Sequence, residues 1–299
     1  MKIALIGYGE VGTILAEDLR RGGHEVSAYD LKLDRPAGDP MRAHAEDQGV
    51  RLAVDHRSAV AGAGLVVSAV IASQAVAAAT SCAAGLAKGA FFLDLNSASP
   101  GARHRAAGIV DDAGGCYVEG AVMAPVPPYR LGMPLLLGGR HAAALQPVLA
   151  GLGFAPTVAS DRLGAASASK MCRSVMIKGL EAMVIEAFTT ARHYGVEEQM
   201  LASLRETYPG IDWEKLGGYV FQRVIAHGRR RAEEMREAAE TVREAGLTPW
   251  SAAGAAESQA WVADRADEGC FGLRGTAAFA SSADWRTEAD RILEGLRAR

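Results

Sequence analysis

The sequence predicts an α/β domain built on a doubly wound parallel sheet, followed by an all-helical domain. Three observations predict it. Short apolar runs alternate with helical stretches through the first half, the mark of a parallel sheet covered by helices. A glycine-rich turn joins the first run to the first helix. From about Gly164 onward the pattern turns almost wholly helical, which places the two domains at 1–163 and 164–299.

Each element follows from a local signal. Lys2–Ile6 is a short apolar run of the kind buried on both faces of a sheet. Val11–Arg21 sets Ile14, Leu15 and Leu19 on one face and Glu17, Asp18 and Arg20 on the other, and Gly22-Gly23 ends it. Further strands are expected at Glu25–Tyr29, Arg51–Val54, Leu65–Val70, Ala90–Leu95, Tyr117–Met123 and Pro134–Gly138, with a helix at Met41–Gln48. Ser58–Ala87 carries no charge. Its alanines, glycines and serines are nevertheless too weakly apolar for a membrane span, which takes roughly 20 strongly apolar residues. A buried strand and an alanine-rich helix are expected there instead. Beyond Gly164 come one long helix, Ala165–Tyr194, and helices over about Asp212–Ala226, Arg229–Ala245, Pro249–Ala263 and Asp284–Arg297.

Composition excludes several classes of function. A net charge of -3 over 299 residues leaves no electrostatic footprint for nucleic acid. Hydrophobic residues at 49% and charged ones at 22% are ordinary for a soluble globular protein. Cys82, Cys116, Cys172 and Cys270 lie far apart, with no CxxC pair and no histidine at ligand spacing, so neither a metal site nor a disulfide framework is expected. Free thiols and the lack of a signal-peptide core point to a cytoplasmic protein with no membrane partner.

Three segments carry chemistry. Gly7, Tyr8, Gly9, Glu10, Val11 and Gly12 form the pattern GxGxxG between a strand and a helix, the dinucleotide-binding (Rossmann) fingerprint. The first glycine permits the tight turn, the second lets a pyrophosphate approach the backbone, and the third allows close packing of helix on strand. Asp30 ends the second strand, where a carboxylate accepts ribose hydroxyls and repels a 2′-phosphate. Val70 and Asn96, at the carboxyl ends of two further strands, are expected beside the same cofactor. The second segment, Phe91–Pro100, runs from an apolar strand into Asp94, Asn96, Ser97 and Ser99; it suits a ligand site and equally a helix N-cap at Ser99 with Pro100 at N1. In the third, small residues from Gly164 lead to Lys170, just inside the long helix. A lysine packed there suits proton transfer, whereas spacing alone favours an exposed lysine.

In this order the segments resemble the β-hydroxyacid dehydrogenase family, which includes 6-phosphogluconate and 3-hydroxyisobutyrate dehydrogenases. Gly7, Gly9 and Gly12 match its first motif, Asp94, Asn96, Ser97 and Pro100 its second, and Gly164 with Lys170 its third. The resemblance implies NAD as cofactor, with NADP not excluded, and Lys170 as general acid/base on a hydroxyl-bearing small molecule. Ser97 and Ser174 would hydrogen-bond the reacting oxygen or its neighbour, and Arg173 would either bind a carboxylate, by pointing into the cleft, or face solvent. It also implies a homodimer formed through the helical domain.

Departures from the family pattern sharpen the expectation. The family's substrate loop reads Asp-Ala-Pro-Val-Ser-Gly-Gly; here the segment is Glu119-Gly120-Ala121-Val122-Met123-Ala124-Pro125. Pro125 has no N–H, and Met123 favours irregular apolar groups, so Met123 and Ala124 are expected to line a site for a 3-hydroxyacid with an apolar or aromatic portion. Two rival readings stand beside this one: an imine reductase on the same scaffold, which would generally lack the lysine, and a non-catalytic NAD-binding sensor.

Overall fold

In the computed structural model, which describes residues 1–280 and 282–297, the first elements alternate as the apolar runs require. They are β1 (Lys2–Ile6), α1 (Glu10–Arg21), β2 (Glu25–Tyr29), α2 (Asp39–Gln48), β3 (Arg51–Leu52), α3 (His56–Val60), β4 (Leu65–Ser68), α4 (Ala75–Ala83), β5 (Phe91–Asp94), α5 (Pro100–Asp112) and β6 (Cys116–Val122). Then follow the single turn α6 (Val126–Tyr129), β7 (Pro134–Gly138), α7 (Ala142–Gly151) and β8 (Ala155–Ser160). Among the described residues the eight strands form one sheet in the order β3-β2-β1-β4-β5-β6-β7-β8. Alternate residues of each strand enter opposite layers. Ile3, Leu5, Val67, Leu93 and Val118 join the core under α1. Ala4, Ile6, Val66, Phe92 and Tyr117 join the core under α4 and α5. Both faces are covered, as continuous apolar strands predict.

The sheet is parallel from β3 to β6, but β7 runs antiparallel to β6, with β8 parallel to β7. A wholly parallel sheet is therefore corrected at its far edge. The physical reason is the link from Val122 to Pro134, which holds only an α-helical turn and a 3-10 turn. A parallel return needs a crossover of a dozen or more residues, usually with a full helix. Chain order reverses about β1, whose neighbours are β2 and β4. The carboxyl ends of β1 and β4 thus flank the crevice where such sheets bind ligands.

The long helix α8 (Ala165–Tyr194) has the bounds that its run of small and apolar residues predicts. The chain divides into two compact units within it, Met1–Cys172 and Arg173–Arg299. The C-terminal unit continues with α9 (Glu197–Thr207), α10 (Trp213–Glu244), α11 (Trp250–Asp267) and α12 (Trp285–Arg297). Its core gathers Ile185, Phe188, Phe221, Val224, Val262 and Trp285. The two helices expected over 212–245 are one. Gly228, which lies in the gap left between them, serves close packing, since a Cβ there would lie 2.8 Å from the Gln259 carbonyl oxygen of α11. Among the described residues no helix is long and apolar enough to cross a membrane, and the four cysteines are unpaired.

Candidate active site and dinucleotide cradle

The turn after β1 is shaped by two glycines. Gly7 has φ +92, and a Cβ on it would sit 2.4 Å from the Ala69 carbonyl oxygen; a Cβ on Gly12 would sit 2.2 Å from the Gly7 carbonyl oxygen. These contacts exclude any side chain and draw α1 against the strand. Around Gly9 the opposite holds, for a Cβ there would meet nothing within 4 Å. Gly9 is the N-cap of α1, and no side chain caps that terminus. An open approach to the amide end of a helix is what a phosphate requires. The open, uncapped start of α1 at Gly9 therefore fits the phosphates of a dinucleotide.

Asp30 closes the cradle. Its Oδ2 accepts the Tyr8 N–H at 2.9 Å and its Oδ1 accepts the Lys32 N–H at 2.9 Å. Each oxygen keeps acceptor capacity for a ribose hydroxyl. The Tyr8 side chain points into the core rather than to a ligand, with its hydroxyl against His44 Nδ1 at 2.9 Å. Burial, then the charge of Glu17, push its pKa up to about 12. Glu10 and Val11 lie in the first turn of α1.

Asn96 ties two strand ends together. Its Oδ1 accepts the Val70 N–H at 2.7 Å, and its Nδ2 donates to Ser68 Oγ at 3.0 Å. Val70 and Asn96 thus share one hydrogen bond at the carboxyl ends of β4 and β5. Ser99 caps α5, its hydroxyl accepting the Ala102 N–H at 3.3 Å. Next to it lies the contact with chemical potential: Lys170 Nζ donates to Ser97 Oγ at 2.7 Å, both side chains being half-buried. Residues 73 apart in sequence meet here.

The remaining predicted residues fall as follows. Met123 and Ala124 are half-buried just past β6, and the Met123 N–H donates to the Pro134 carbonyl at 3.0 Å, so it is spent within the sheet. Glu119 to Val122 belong to β6, within the strand expected at Tyr117–Met123, although they align with the family's substrate loop. Arg173 is exposed and Ser174 buried on α8, three and four residues beyond Lys170.

Sequence reasoning named Asp94 and Glu119 only as positions within motifs and missed Arg103 and the charged network they form beneath the site. Arg103 is buried and pairs with Asp94 at 3.0 Å, while the Tyr117 hydroxyl donates to Asp94 at 2.8 Å. Burial works against the Arg103 cation, yet Asp94, Tyr117 and Glu119 hold its pKa above the usual guanidinium value. Glu119 is wholly buried and accepts amides of α8. The available signal was a lone carboxylate inside each of two apolar strands, FFLD and CYVEGAV. Arg130, just past α6, was also missed. With φ 52 and ψ -131 it holds a backbone conformation that favours glycine. Its guanidinium grips Asp18 at 2.9 Å and Glu17 at 2.6 Å, both on α1.

Comparison with known proteins follows the same lines. Residues 2–158 match the family described as the NAD binding domain of 6-phosphogluconate dehydrogenase, and residues 191–262 match one described as a domain of unknown function, DUF1932. The structure of a conserved hypothetical protein from Sinorhizobium meliloti 1021 is 38% identical, with a TM-score of 0.76 over 98% of this chain and 96% of that one. A conserved protein of unknown function, noted for structural similarity with 3-hydroxyacid dehydrogenases, is 26% identical, with a TM-score of 0.68 over 89% of this chain and 99% of its own. A 3-hydroxyisobutyrate dehydrogenase of Pseudomonas aeruginosa is 25% identical over 218 residues, 71% of either chain.

Proposed function

The chain belongs to the family of the NAD binding domain of 6-phosphogluconate dehydrogenase, and on that footing we propose that it interconverts the hydroxyl and carbonyl forms of a small 3-hydroxyacid, with Lys170 as general acid/base. The observation that carries the reading is the 2.7 Å hydrogen bond from Lys170 Nζ to Ser97 Oγ at the carboxyl end of the sheet. The dinucleotide, when bound, accepts or supplies the hydride. Gly7, Gly9 and Gly12 admit its pyrophosphate, and Asp30 takes its ribose hydroxyls, favouring NAD over NADP.

In oxidation, neutral Lys170 takes the hydroxyl proton from substrate; in reduction, its ammonium returns it. Because Ser97 Oγ accepts from Lys170, its own O–H is turned to the reacting oxygen as a second donor. Substrate choice follows from the β6 end. Met123 has spent its N–H on Pro134 and Pro125 has none, so this edge offers a carboxylate few amides. Met123 presents apolar surface instead, which favours a substrate with an apolar or aromatic portion. Arg173 is the cation for the carboxylate, and Ser174 a further donor. A homodimer through the C-terminal unit completes the reading, supported by exposed Met176 and Met183, one heptad apart on α8.

The experiment is Lys170→Met, assayed on a panel of hydroxyacids. Turnover should fall by roughly 100- to 10,000-fold, with NADH binding, read by fluorescence, unchanged. A variant keeping more than about a third of wild-type turnover overturns the assignment. On the same panel, 3-phenyl-substituted hydroxyacids should exceed glycerate in kcat/KM; glycerate as the best substrate would refute the reading of Met123. Imine reduction that survives Lys170→Met would favour the imine reductase.

A further inference from the structure

Glu119 stands at the centre of β6 with no exposed surface. A carboxylate cannot be left there without compensation. Arg103, the nearby cation, is already matched by Asp94. Arg103 attracts Glu119 at a distance, but its direct partners are main-chain amides: Oε1 accepts the N–H of Gly164 at 2.9 Å and of Ala166 at 3.1 Å, and Oε2 accepts that of Ser167 at 3.3 Å. These amides open α8, where donors lack partners within the helix and the macrodipole is positive.

The sheet makes room for this reach. Gly138 is the register partner of Glu119 on β7, and a Cβ there would lie 2.2 Å from Glu119 Oε1. An ordinary N-cap is a local side chain that travels with its own helix. This one comes from the sheet, 45 residues earlier, and so ties the start of α8 to β6. The neighbouring strand β5, paired at Asp94 with Glu119, leads directly to Ser97. One rigid sheet therefore holds both the acceptor of Lys170 and the anchor of the helix that carries Lys170. Lys170 lies three residues past Ser167, less than one turn. A slip of one residue at the cap would move it by about 1.5 Å along the axis and about 100° around it, which would break the bond to Ser97.

We propose that Glu119 is a positioning residue: its cap on α8 sets the register in which Lys170 meets Ser97. Its bearing on catalysis rests on the role proposed for Lys170, but the register itself can be read without turnover. In Glu119→Gln, one acceptor oxygen becomes a donor that opposes the amides. Amide exchange at Gly164, Ala166 and Ser167 should quicken. Acetylation of Lys170, followed by mass spectrometry against pH, should rise about fivefold, in line with a lost helix cap. Lys178, buried farther along the same helix, is the internal reference and should not change. With the best substrate of the panel, kcat should fall while KM for NADH holds, and Glu119→Asp should recover part of the loss.

Gly138→Ala pushes the same carboxylate from the other side and should give the same pattern if Glu119→Gln fails to fold. Lys170 acetylation within about twofold of wild type, despite faster amide exchange, would make Glu119 merely structural and overturn the proposal. So would a parallel rise at Lys178, which reports general loosening. Failure of the acid/base role would show separately, as turnover that survives Lys170→Met.

Discussion

The buried carboxylate of Glu119 in the N-terminal unit is held by three main-chain amides; that of Glu181 in the C-terminal unit is held by the guanidinium of Arg231 at 2.8 Å. The contrast extends to their neighbours. Asp30 and Asn96 both accept backbone N–H groups, from Tyr8 and Lys32 and from Val70. In the C-terminal unit Lys178 pairs with Glu234, and Gln259 Nε2 donates to Glu181 Oε2 at 3.5 Å. Burial draws the Lys178 pKa down against the pull of Glu234. A side chain bonded to backbone fixes where a turn or helix begins. A side chain bonded to another side chain neutralises a charge and joins two helices. The first kind of contact builds a site, and the second holds a bundle together.

Three substitutions would break or sharpen that contrast. The largest effect is expected at Glu181→Ala, which strands the Arg231 cation in a helical core. Denaturant unfolding should show a loss of about 3–5 kcal/mol, with NADH affinity within about twofold of wild type once folded. Replacing both partners by methionine should restore most of it. A loss below about 1 kcal/mol would mean that the pair is not the brace its burial suggests.

Asp30→Asn should act in the opposite sense, on ligand rather than on stability. The preference for NADH over NADPH should narrow by roughly 10- to 100-fold, worth about 1.4–2.8 kcal/mol, in paired fluorescence titrations. The melting temperature should hardly move. NADPH binding more tightly than NADH in the wild type would remove the basis for reading Asp30 as a ribose acceptor.

The smallest effect is expected at Arg130→Met. Hydrogen bonds from Arg130 hold the Glu17 carboxyl below its usual range, with His44 adding to the effect. Asp18 is likewise lowered, Arg130 and Arg21 outweighing its burial. A depressed carboxylate contributes stability above its unfolded pKa and loses it as pH falls through the folded one. The wild type should therefore out-melt the variant at pH 7, by the equivalent of no more than about 1 kcal/mol for so exposed a pair. The gap should close below about pH 4. A gap that persists at pH 3 would assign the effect to packing.

How much of this was legible in the sequence divides along the same contrast. The glycine turn, Asp30 and the helix Ala165–Tyr194 were readable, because glycine geometry, strand ends and unbroken helical runs are local signals. Lys170 could be placed near the second motif only by resemblance, since spacing alone favoured an exposed lysine. The cap of Glu119 was not readable, for its amides lie 45 residues on and leave no mark of their own. The reversal of β7 escaped because alternation reveals a strand and not its direction. β8 escaped because Ala155–Ser160 never buries a full face.

One last consequence follows from Arg130. Its strained backbone bends the proline-rich segment, while its side chain fastens that segment to α1, the helix that opens at Gly9. Shape and attachment thus reside in different parts of one residue. Dinucleotide binding that steadies α1 should therefore steady residues 123–133 as well. Amide exchange over that segment should slow on adding NADH in the wild type and remain unchanged in Arg130→Met.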